Sequence, residues 1–308
     1  MTGSQAESTD PSDTTGAPAH GTRVTVLGLG IMGQGVADTL LREGFAVTVW
    51  NRSAQKATPF AEKGATVASS PSEAVEKAEV VVSVLFDADS VLGVLDEVAD
   101  AVPADAVWVQ ASTIGLEGTA RVVDRAKAQG VALIEAMMLG TKAPAETGKL
   151  VMLAAGDAGL IAKAQPVLDA MGSKTVLAGP AVGNGTALKL AANAWIASIT
   201  AATAQSIALT QALGLDGDLF LQAIDGGASD SPYAHTKGKS ILDREFPASF
   251  ALDGLRKDLG LITEAASGSG VATTLLDALR AAYADASEQG HGGDDIASVY
   301  EAFTADRA

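Results

Sequence analysis

The sequence predicts an α/β protein in which a doubly wound, mostly parallel sheet is followed by an all-helical C-terminal domain. Apolar, β-branched segments alternate with helical patterns from Arg23 to about Gly183. A glycine-rich turn separates the first of these strands from the first helix. Beyond Gly183 a long apolar helix begins, and the chain after it has helical periodicity without a clear strand pattern.

The glycine-rich turn has the spacing of a dinucleotide-binding loop. The apolar strand Val24–Leu27 leads directly into the pattern G-x-G-x-x-G, and a helical pattern follows. The first glycine allows a tight turn, the second lets a pyrophosphate approach the backbone, and the third lets the helix pack on the strand. The N–H groups at the helix N-terminus attract phosphates. This predicts a Rossmann-type domain whose loop binds a dinucleotide through Gly28, Leu29, Gly30, Ile31, Met32 and Gly33.

The end of the second predicted strand indicates which dinucleotide binds. The strand Phe45–Trp50 ends in Asn51, Arg52 and Ser53, with no carboxylate. A site that prefers NAD usually has Asp or Glu there to hold the ribose 2′-hydroxyl. A guanidinium and a hydroxyl suit a 2′-phosphate instead. We therefore predict that NADPH is the cofactor; a glycine turn in an ordinary βαβ unit, with Arg52 in solvent, is the alternative.

The loop after the run Glu79–Leu85 is also expected to approach the cofactor. This run is continuously apolar, as a strand buried on both faces should be. Ligands in open α/β sheets bind outside the carboxyl ends of the strands. We therefore expect contacts from Leu85, Phe86 and Asp87.

The rest of the sheet is predicted in less detail. Further strands are expected at Ala106–Gln110, Ala132–Glu135 and Lys149–Ala155. The polar segment Ala136–Gly148 lacks a clear period and is expected to be irregular. The segment Ala54–Lys63 predicts one helix.

The composition excludes several classes of function. The 308 residues carry a formal net charge of −16, which would repel nucleic acids and anionic membrane surfaces. The chain has no cysteine, so disulfides and thiol catalysis are excluded. Its three histidines lack the spacing of metal ligands, so we expect no metal site. The predicted partner is therefore a small-molecule substrate.

The same patterns divide the chain into three parts. Residues 1–21 are rich in small and polar residues and are expected to form a disordered tail rather than a signal peptide. Residues 22–184 are predicted to form the NADP-binding domain, and residues 185–308 a helical domain for substrate binding and dimerisation. We expect a cytoplasmic protein.

The long segment Thr186–Leu213 is apolar on almost every face. It contains no proline or internal glycine, and Lys189 is its only charged residue. Its length is compatible with a membrane span, but its polar residues, among them Asn193 and Gln205, argue against one. A helix buried between two domains or two subunits explains the pattern better, and this favours a homodimer.

Lys189 and Asn193 are candidates for the chemistry. They are four residues apart, so both side chains project from one face of the helix. A lysine in an apolar helix loses hydration, which lowers its pKa and suits proton transfer near neutral pH. The alternative is a lysine that reaches solvent at a helix start, with Asn193 a paired amide in the core.

The chain resembles the β-hydroxyacid dehydrogenase family, which includes 3-hydroxyisobutyrate dehydrogenase and tartronate semialdehyde reductase. The glyoxylate/succinic semialdehyde reductases are the most similar branch, on the segment GTKAPAETGKLVMLAAGD (Gly140–Asp157). The segments that carry the resemblance are GLGIMGQGVADTLL, VWNRS, the STIG of Ser112–Gly115, Gly183-Asn184-Gly185 with Lys189 and Asn193, and Lys257-Asp258-Leu259.

The resemblance implies an NADPH-dependent oxidoreductase that reduces a carbonyl compound. It implies that Lys189 donates a proton to the carbonyl oxygen and that Asn193 orients the lysine or the substrate. It also places Ser112 and Thr113 beside the nicotinamide ribose, and Lys257 at the cofactor.

The chain departs from the family where the substrate carboxylate usually binds. The family segment Pro-Val-Ser-Gly-Gly corresponds here to Met137–Thr141, so Leu139 replaces the serine. A buried carboxylate without partners is unfavourable, so the substitution disfavours small hydroxy acids. The substrate residues implied by family position are Met138, Leu139, Gly140, Thr141, Tyr233 and His235.

Two alternatives to a carbonyl reductase remain open. The related imine reductases have also lost the serine, so an imine reductase or reductive aminase with a more apolar substrate is the first. Imine reductases usually replace the lysine as well, and the retained Lys189 argues against this. The second is an NADP-binding module without catalysis, which Lys189 and Asn193 also argue against.

Overall fold

A computed structural model describes residues 21–304, so the predicted tail at residues 1–21 lies, except for Gly21, outside the described residues. Eight strands are described there: β1 (Arg23–Leu27), β2 (Ala46–Trp50), β3 (Thr66–Val67), β4 (Val80–Ser83), β5 (Val107–Gln110), β6 (Ala132–Leu139), β7 (Leu150–Ala155) and β8 (Gly172–Gly179). They form one sheet in the order β3-β2-β1-β4-β5-β6-β7-β8. All neighbours pair in parallel except β6 and β7. This confirms the predicted doubly wound sheet.

Helices cover both faces of the sheet and form the C-terminal part. The helices of the first part are α1 (Ile31–Arg42), α2 (Thr58–Glu62), α3 (Pro71–Val75), α4 (Ala88–Val98), α5 (Gly115–Ala128), α6 (Lys142–Glu146) and α7 (Ala158–Met171). Those of the second part are α8 (Asn184–Ala212), α9 (Asp218–Ile224), α10 (Pro232–Asp243), α11 (Leu252–Gly268) and α12 (Thr274–Ala286), followed by a 3-10 segment at Ile296–Phe303. This confirms the predicted helical C-terminal region.

The segment Ala136–Gly148 is ordered, and the expectation of an irregular segment is wrong. β6 continues to Leu139, and the short helix α6 follows. The register explains the extension, because Met137 faces Leu153 in the antiparallel pair of β6 with β7. Tertiary pairing therefore overrides the weak local pattern.

Two other elements differ from expectation. The single helix predicted at Ala54–Lys63 is divided into a 3-10 turn, Ala54–Lys56, and α2. Pro59 in the first turn of α2 lacks the N–H group that a continuous helix would donate to the carbonyl oxygen of Gln55, which explains the break. The edge strand β8 has no clear period in the sequence and pairs in parallel with β7.

Among the described residues, the core consists of three groups of buried side chains. Two lie on opposite faces of the sheet, around Val36 and Leu40 of α1 and around Trp108 and Val122. The third fills the helical part, around Leu255 and Leu259 of α11. The N-terminal end of α8 lies on β6 and β7, and the rest of α8 contacts α10, α11, α12 and the 3-10 segment. In the described part of the chain, no helix has the length and hydropathy needed to cross a bilayer.

Candidate active site

A cleft of about 640 Å³ lies at the carboxyl ends of β1, β2, β4 and β5, where the sheet part meets α8 and α11. Most of the cofactor residues that the sequence predicts line it. These are Gly28, Gly30, Ile31, Met32, Asn51, Arg52, Ser53, Leu85, Phe86, Ser112, Thr113 and Lys257. Leu29, Gly33 and Asp87 are outside this lining.

The glycines of the loop differ in their surroundings: two pack closely against backbone atoms, and one leaves space for a ligand. Gly28 has a φ of 99°, and a Cβ on it would lie 2.2 Å from the carbonyl oxygen of Val84. A Cβ on Gly33 would lie 2.0 Å from the carbonyl oxygen of Gly28. Gly30 instead faces open space and precedes α1, whose N-terminus has no side-chain cap. The uncapped helix end and this space fit a pyrophosphate group.

Asn51 joins the end of β2 to the glycine loop. Its Oδ1 accepts a hydrogen bond from the N–H group of Leu29 at 2.8 Å, and its Nδ2 donates to the carbonyl oxygen of Ser53 at 3.0 Å. Leu29 therefore contributes to the loop through its backbone.

Two cations lie beyond this junction. Arg52 lines the cleft as predicted, and Lys56 lines it as well. Sequence reasoning missed Lys56, although its position four residues after Arg52, at the end of a 3-10 turn, is a usable signal. Two cations and the hydroxyl of Ser53 at this end of the cleft suit a phosphate.

The loops after β4 and β5 are tied together by Ser112. The N–H group of Leu85 donates to its hydroxyl oxygen at 2.8 Å, and the hydroxyl donates to the carbonyl oxygen of Ser83 at 3.2 Å. Asp87 instead caps α4, where its Oδ1 accepts from the N–H group of Ser90 at 2.8 Å. This hydrogen-bonding to Ser90 lowers the pKa of Asp87. The structure thus gives Asp87 a place at the helix start rather than in the cleft lining.

Lys189, Asn193 and Asp258 meet in the cleft between α8 and α11. Only 8% of Lys189 is exposed, and Asn193 and Asp258 are also buried. The amide nitrogen of Asn193 donates to Asp258 Oδ2 at 2.7 Å. The amide oxygen of Asn193 is buried and has no protein partner. The site therefore holds one unused acceptor beside a lysine.

Burial determines the electrostatics of this group. It lowers the pKa of Lys189 to about 8; the nearby Asp258 carboxylate acts in the opposite direction, and the ammonium of Lys257 adds to the lowering. Burial also raises the pKa of Asp258, although Lys257 and Lys189 oppose it. An ammonium with a pKa of about 8 remains mostly charged at neutral pH and can give up its proton readily.

Lys257 connects α11 to both strand-end loops. Its Nζ donates to the carbonyl oxygens of Thr113 at 2.7 Å and Phe86 at 3.1 Å. It also lies 3.0 Å from Asp258 Oδ1 and 5.2 Å from the centre of the Phe86 ring. The ammonium therefore contacts the loops that line the cofactor end and the acid that lies beside Lys189.

The predicted substrate residues on β6 divide by face. Met138 and Gly140 line the cleft, whereas Leu139 and Thr141 do not. Successive side chains of a strand point to opposite faces, so Met138 and Leu139 cannot both face the cleft. Thr141 is the N-cap residue of α6.

Tyr233 and His235 are also absent from the cleft lining, contrary to expectation. Both are in the first turns of α10. The ring of Tyr233 packs in the helical core, 5.5 Å from Lys237 Nζ. His235 Nε2 lies 2.7 Å from Asp230 Oδ1 in a separate cavity.

The wall on the helical side comes from residues for which the sequence predicted no role. They are Ser249, Phe250, Ala251, Gly254 and Asp258. The available signal was proximity in sequence to Lys257. The structure also brings Asp225, Asp230 and His235 together, with possible ligand atoms within 4.8 Å of one another, as a group that could hold a metal ion. The histidine spacing did not predict this group.

Comparison with known proteins identifies the family. Residues 23–179 match the NAD-binding domain of 6-phosphogluconate dehydrogenase, and residues 183–303 match the NAD-binding family of NADP-dependent 3-hydroxyisobutyrate dehydrogenase. Glyoxylate/succinic semialdehyde reductase 2 of Arabidopsis thaliana is 33% identical over 98% of this chain and 84% of its own length. The chain belongs to the β-hydroxyacid dehydrogenase family. The protein is therefore an NAD(P)-dependent oxidoreductase, as the motifs predict.

Solved structures agree on the fold. A 3-hydroxyisobutyrate dehydrogenase from Mycobacterium tuberculosis has a TM-score of 0.83 at 26% identity, covering 93% of this chain and 99% of that one. An imine reductase from Myxococcus stipitatus has a TM-score of 0.62 at 23% identity, covering 91% and 99%. The second similarity is one of fold alone.

Proposed function

We propose that this β-hydroxyacid dehydrogenase is an NADPH-dependent reductase of a semialdehyde or similar carbonyl compound, with Lys189 as the proton donor. The observation that carries the proposal is the buried ammonium of Lys189 in the cleft, beside Asp258 and Asn193. Reduction of a carbonyl builds negative charge on its oxygen, which a positioned cationic acid stabilises and then protonates. The bound nicotinamide would supply the hydride.

The neighbours of Lys189 keep it in a useful state. The carboxylate of Asp258 favours the charged form of a lysine that burial alone would tend to neutralise. The free amide oxygen of Asn193 is an acceptor for the lysine N–H or for a substrate hydroxyl. Asn193 therefore orients the donor, while Asp258 holds Asn193.

Preference for NADPH rests on the charges at the end of β2. Arg52, Ser53 and Lys56 line this end of the cleft. Residues 50–56 contain no carboxylate that would bind a ribose 2′-hydroxyl and repel a 2′-phosphate.

A second candidate is reduction of a C=N substrate. Met138 and Phe250 line the cleft, and Leu139 stands at the position of the family's carboxylate-binding serine. An apolar wall favours a larger, less charged substrate than a small hydroxy acid.

A substrate screen tests both candidates. Glyoxylate, succinic semialdehyde and neutral aldehydes should be compared with cyclic imines, each with NADPH, for the wild-type enzyme and Lys189→Ala. We expect carbonyl turnover that falls about 10²–10⁴-fold in Lys189→Ala, with NADPH binding retained. Lys127→Ala, an exposed lysine outside the cleft, is the control. Turnover of imines alone, or an active Lys189→Ala enzyme, would contradict the proposal.

We also propose that residues 22–184 bind the cofactor and that the helical part, residues 185–308, forms a homodimer through α8. Leu188, Trp195 and Leu209 of that helix are exposed, Trp195 to 65%, although they are large and apolar. Their spacing of seven and fourteen residues puts them near one face of the helix. An exposed apolar stripe of this kind favours association. Light scattering should give twice the chain mass, and Trp195→Glu should give a monomer.

A further inference from the structure

The buried carboxylate of Glu135 lies at the N-terminus of α8. Glu135 is in β6 and is fully buried. Its Oε2 accepts hydrogen bonds from the N–H groups of Gly183 at 2.6 Å, Gly185 at 3.0 Å and Thr186 at 3.3 Å. Its Oε1 accepts from the hydroxyl of Thr186. Four donors from one helix terminus therefore meet one side chain of the sheet.

The helix has no cap of its own at this end. Gly183 is the N-cap residue, with a φ of 112°, and has no side chain to accept a hydrogen bond. The N–H group of Asn184 donates to the carbonyl oxygen of Ala181, and that of Ala187 makes the first bond within the helix, to Gly183. Helix N-termini normally leave such donors to a nearby side chain or to water. Here the strand supplies the acceptor, so the start of α8 is fixed to the sheet.

Close packing makes the attachment rigid. A Cβ on Gly185 would lie 2.9 Å from the carbonyl oxygen of Leu153 and 3.0 Å from Glu135 Oε2, so this turn rests directly on β6 and β7. The hydroxyl oxygen of Thr186 is also 3.1 Å from that of Thr119 on α5. The side chain of Thr186 thus connects the start of α8 to α5 as well as to Glu135.

Lys189 comes one helical turn after this contact. It is four residues beyond Gly185, and residues at that spacing lie above one another on the same face. We propose that Glu135 is a positioning residue for the reaction: its carboxylate sets the height and rotation of α8 on the sheet and so places the Lys189 ammonium in the cleft. This inference rests on the role of Lys189 proposed above.

Glu135→Ala and Glu135→Gln separate the geometry from the charge. The alanine removes the acceptor from all four donors, whereas the glutamine can keep an oxygen at the Oε2 position. We expect kcat to fall about 10²-fold in Glu135→Ala, since misplacement by about 1 Å has effects of that size. We expect kcat within a few-fold of wild type in Glu135→Gln, and NADPH affinity close to wild type in both.

The titration of Lys189 gives a readout independent of turnover. Acetylation of Lys189 against pH, followed by mass spectrometry on the protein without cofactor, reports its pKa directly. If Glu135→Ala lets the first turns of α8 move toward solvent, Lys189 regains hydration and its pKa rises from about 8 toward the ordinary value. If Lys189 is not the proton donor, its pKa would still shift in Glu135→Ala. The positioning role of Glu135 and the catalytic role of Lys189 can therefore be refuted separately.

Matched variants decide the outcome. Asp157→Ala removes a different helix cap, in which Asp157 accepts from the N–H groups of Gly159 and Leu160, and should leave kcat and the Lys189 titration unchanged. Gly185→Ala keeps the Glu135 carboxylate but pushes the first turn of α8 away from the sheet, so it should lower kcat as Glu135→Ala does. If Glu135→Ala does not fold, Gly185→Ala takes its place in the test. The inference is overturned if Glu135→Ala or Gly185→Ala keeps wild-type kcat and titration. Equal losses in Asp157→Ala would also overturn it, because they would indicate general destabilisation.

Discussion

Asn193 on α8 donates its amide N–H to Asp258 on α11 at 2.7 Å, and this hydrogen bond joins the two helices that form the reactive end of the cleft. Its consequence is electrostatic, because it keeps the Asp258 carboxylate in the buried surroundings of Lys189, where it supports the charged form of the lysine. The effects of the Asp258 carboxylate and of the neighbouring Lys257 ammonium can be measured in the pH dependence of kcat.

The wild-type enzyme should lose reductase activity as the pH rises through about 8. In the proposed mechanism the acid form of Lys189 is the active one in reduction, and burial lowers its pKa to about 8. Asp258→Asn removes a neighbouring negative charge, which should lower the pKa of Lys189 further. The alkaline limb of the pH profile of kcat should therefore move to lower pH, with a greater loss of activity at pH 8 than at pH 6.5. An unchanged limb would show that Asp258 does not act on the lysine.

Lys257→Met should move the alkaline limb of the pH profile of kcat to higher pH. Lys257 lowers the pKa of Lys189, so its removal should raise that pKa and preserve activity at higher pH. The variant also loses the hydrogen bonds to Phe86 and Thr113, so we expect the KM for NADPH to rise about tenfold. Arg256→Met, one residue earlier on α11 and paired with Asp253, is the control. A shift in the same direction as Asp258→Asn would contradict the electrostatic argument.

Arg52→Ala and Lys56→Ala should each weaken NADPH binding about tenfold or more while leaving NADH binding unchanged, because a hydrogen bond to a charged group contributes about 1.5–3 kcal/mol. Cofactor fluorescence titration measures both affinities. Lys63→Ala removes a nearby lysine that pairs with Asp38 outside the cleft and should change neither. Equal affinities of the wild-type protein for the two cofactors would refute the assignment of a 2′-phosphate site.

The glycines of the loop should respond differently to alanine. Gly30→Ala places a methyl group in open space, so the melting temperature should hold while NADPH affinity falls about tenfold or more. Gly28→Ala forces a methyl group against the carbonyl oxygen of Val84 and should lower the melting temperature. Gly268→Ala, with no neighbour within 4 Å, controls for the substitution itself. A stable Gly30→Ala protein with wild-type affinity would remove this glycine from the phosphate site.

The parts of the site that could be predicted are those encoded in short stretches of sequence. The glycine loop and Arg52 follow strands directly, and Lys189 with Asn193 depends only on helical spacing. The parts that were missed depend on contacts between distant segments. Asp258 belongs to the candidate site because it accepts a hydrogen bond from Asn193 on α8, 65 residues earlier in the chain. β6 extends beyond its predicted end because β7 pairs with it.

The position of Tyr233 and His235 outside the cleft lining has a similar origin. Family position gave their approximate place in the chain, but no residue of α10 lines the cleft, and the periodicity of one helix does not reveal where that helix packs. The wall at Ser249 and Phe250 instead depends on Asp295, which accepts hydrogen bonds from both of their N–H groups across more than forty residues.

The amide of Asn51 differs from an aspartate by one atom, and its Oδ1 already holds the N–H group of Leu29. An Asn51→Asp change would keep that acceptor, and its second oxygen would face the Ser53 carbonyl oxygen that now accepts the amide N–H. The two oxygens would repel, so an acid at the end of β2 would release the Ser53 carbonyl and free one carboxylate oxygen, the group that binds a ribose hydroxyl in sites that prefer NAD. Asparagine and aspartate codons differ by one base, so an acid at this position is a single base substitution away while the bond from residue 51 to the glycine loop is kept.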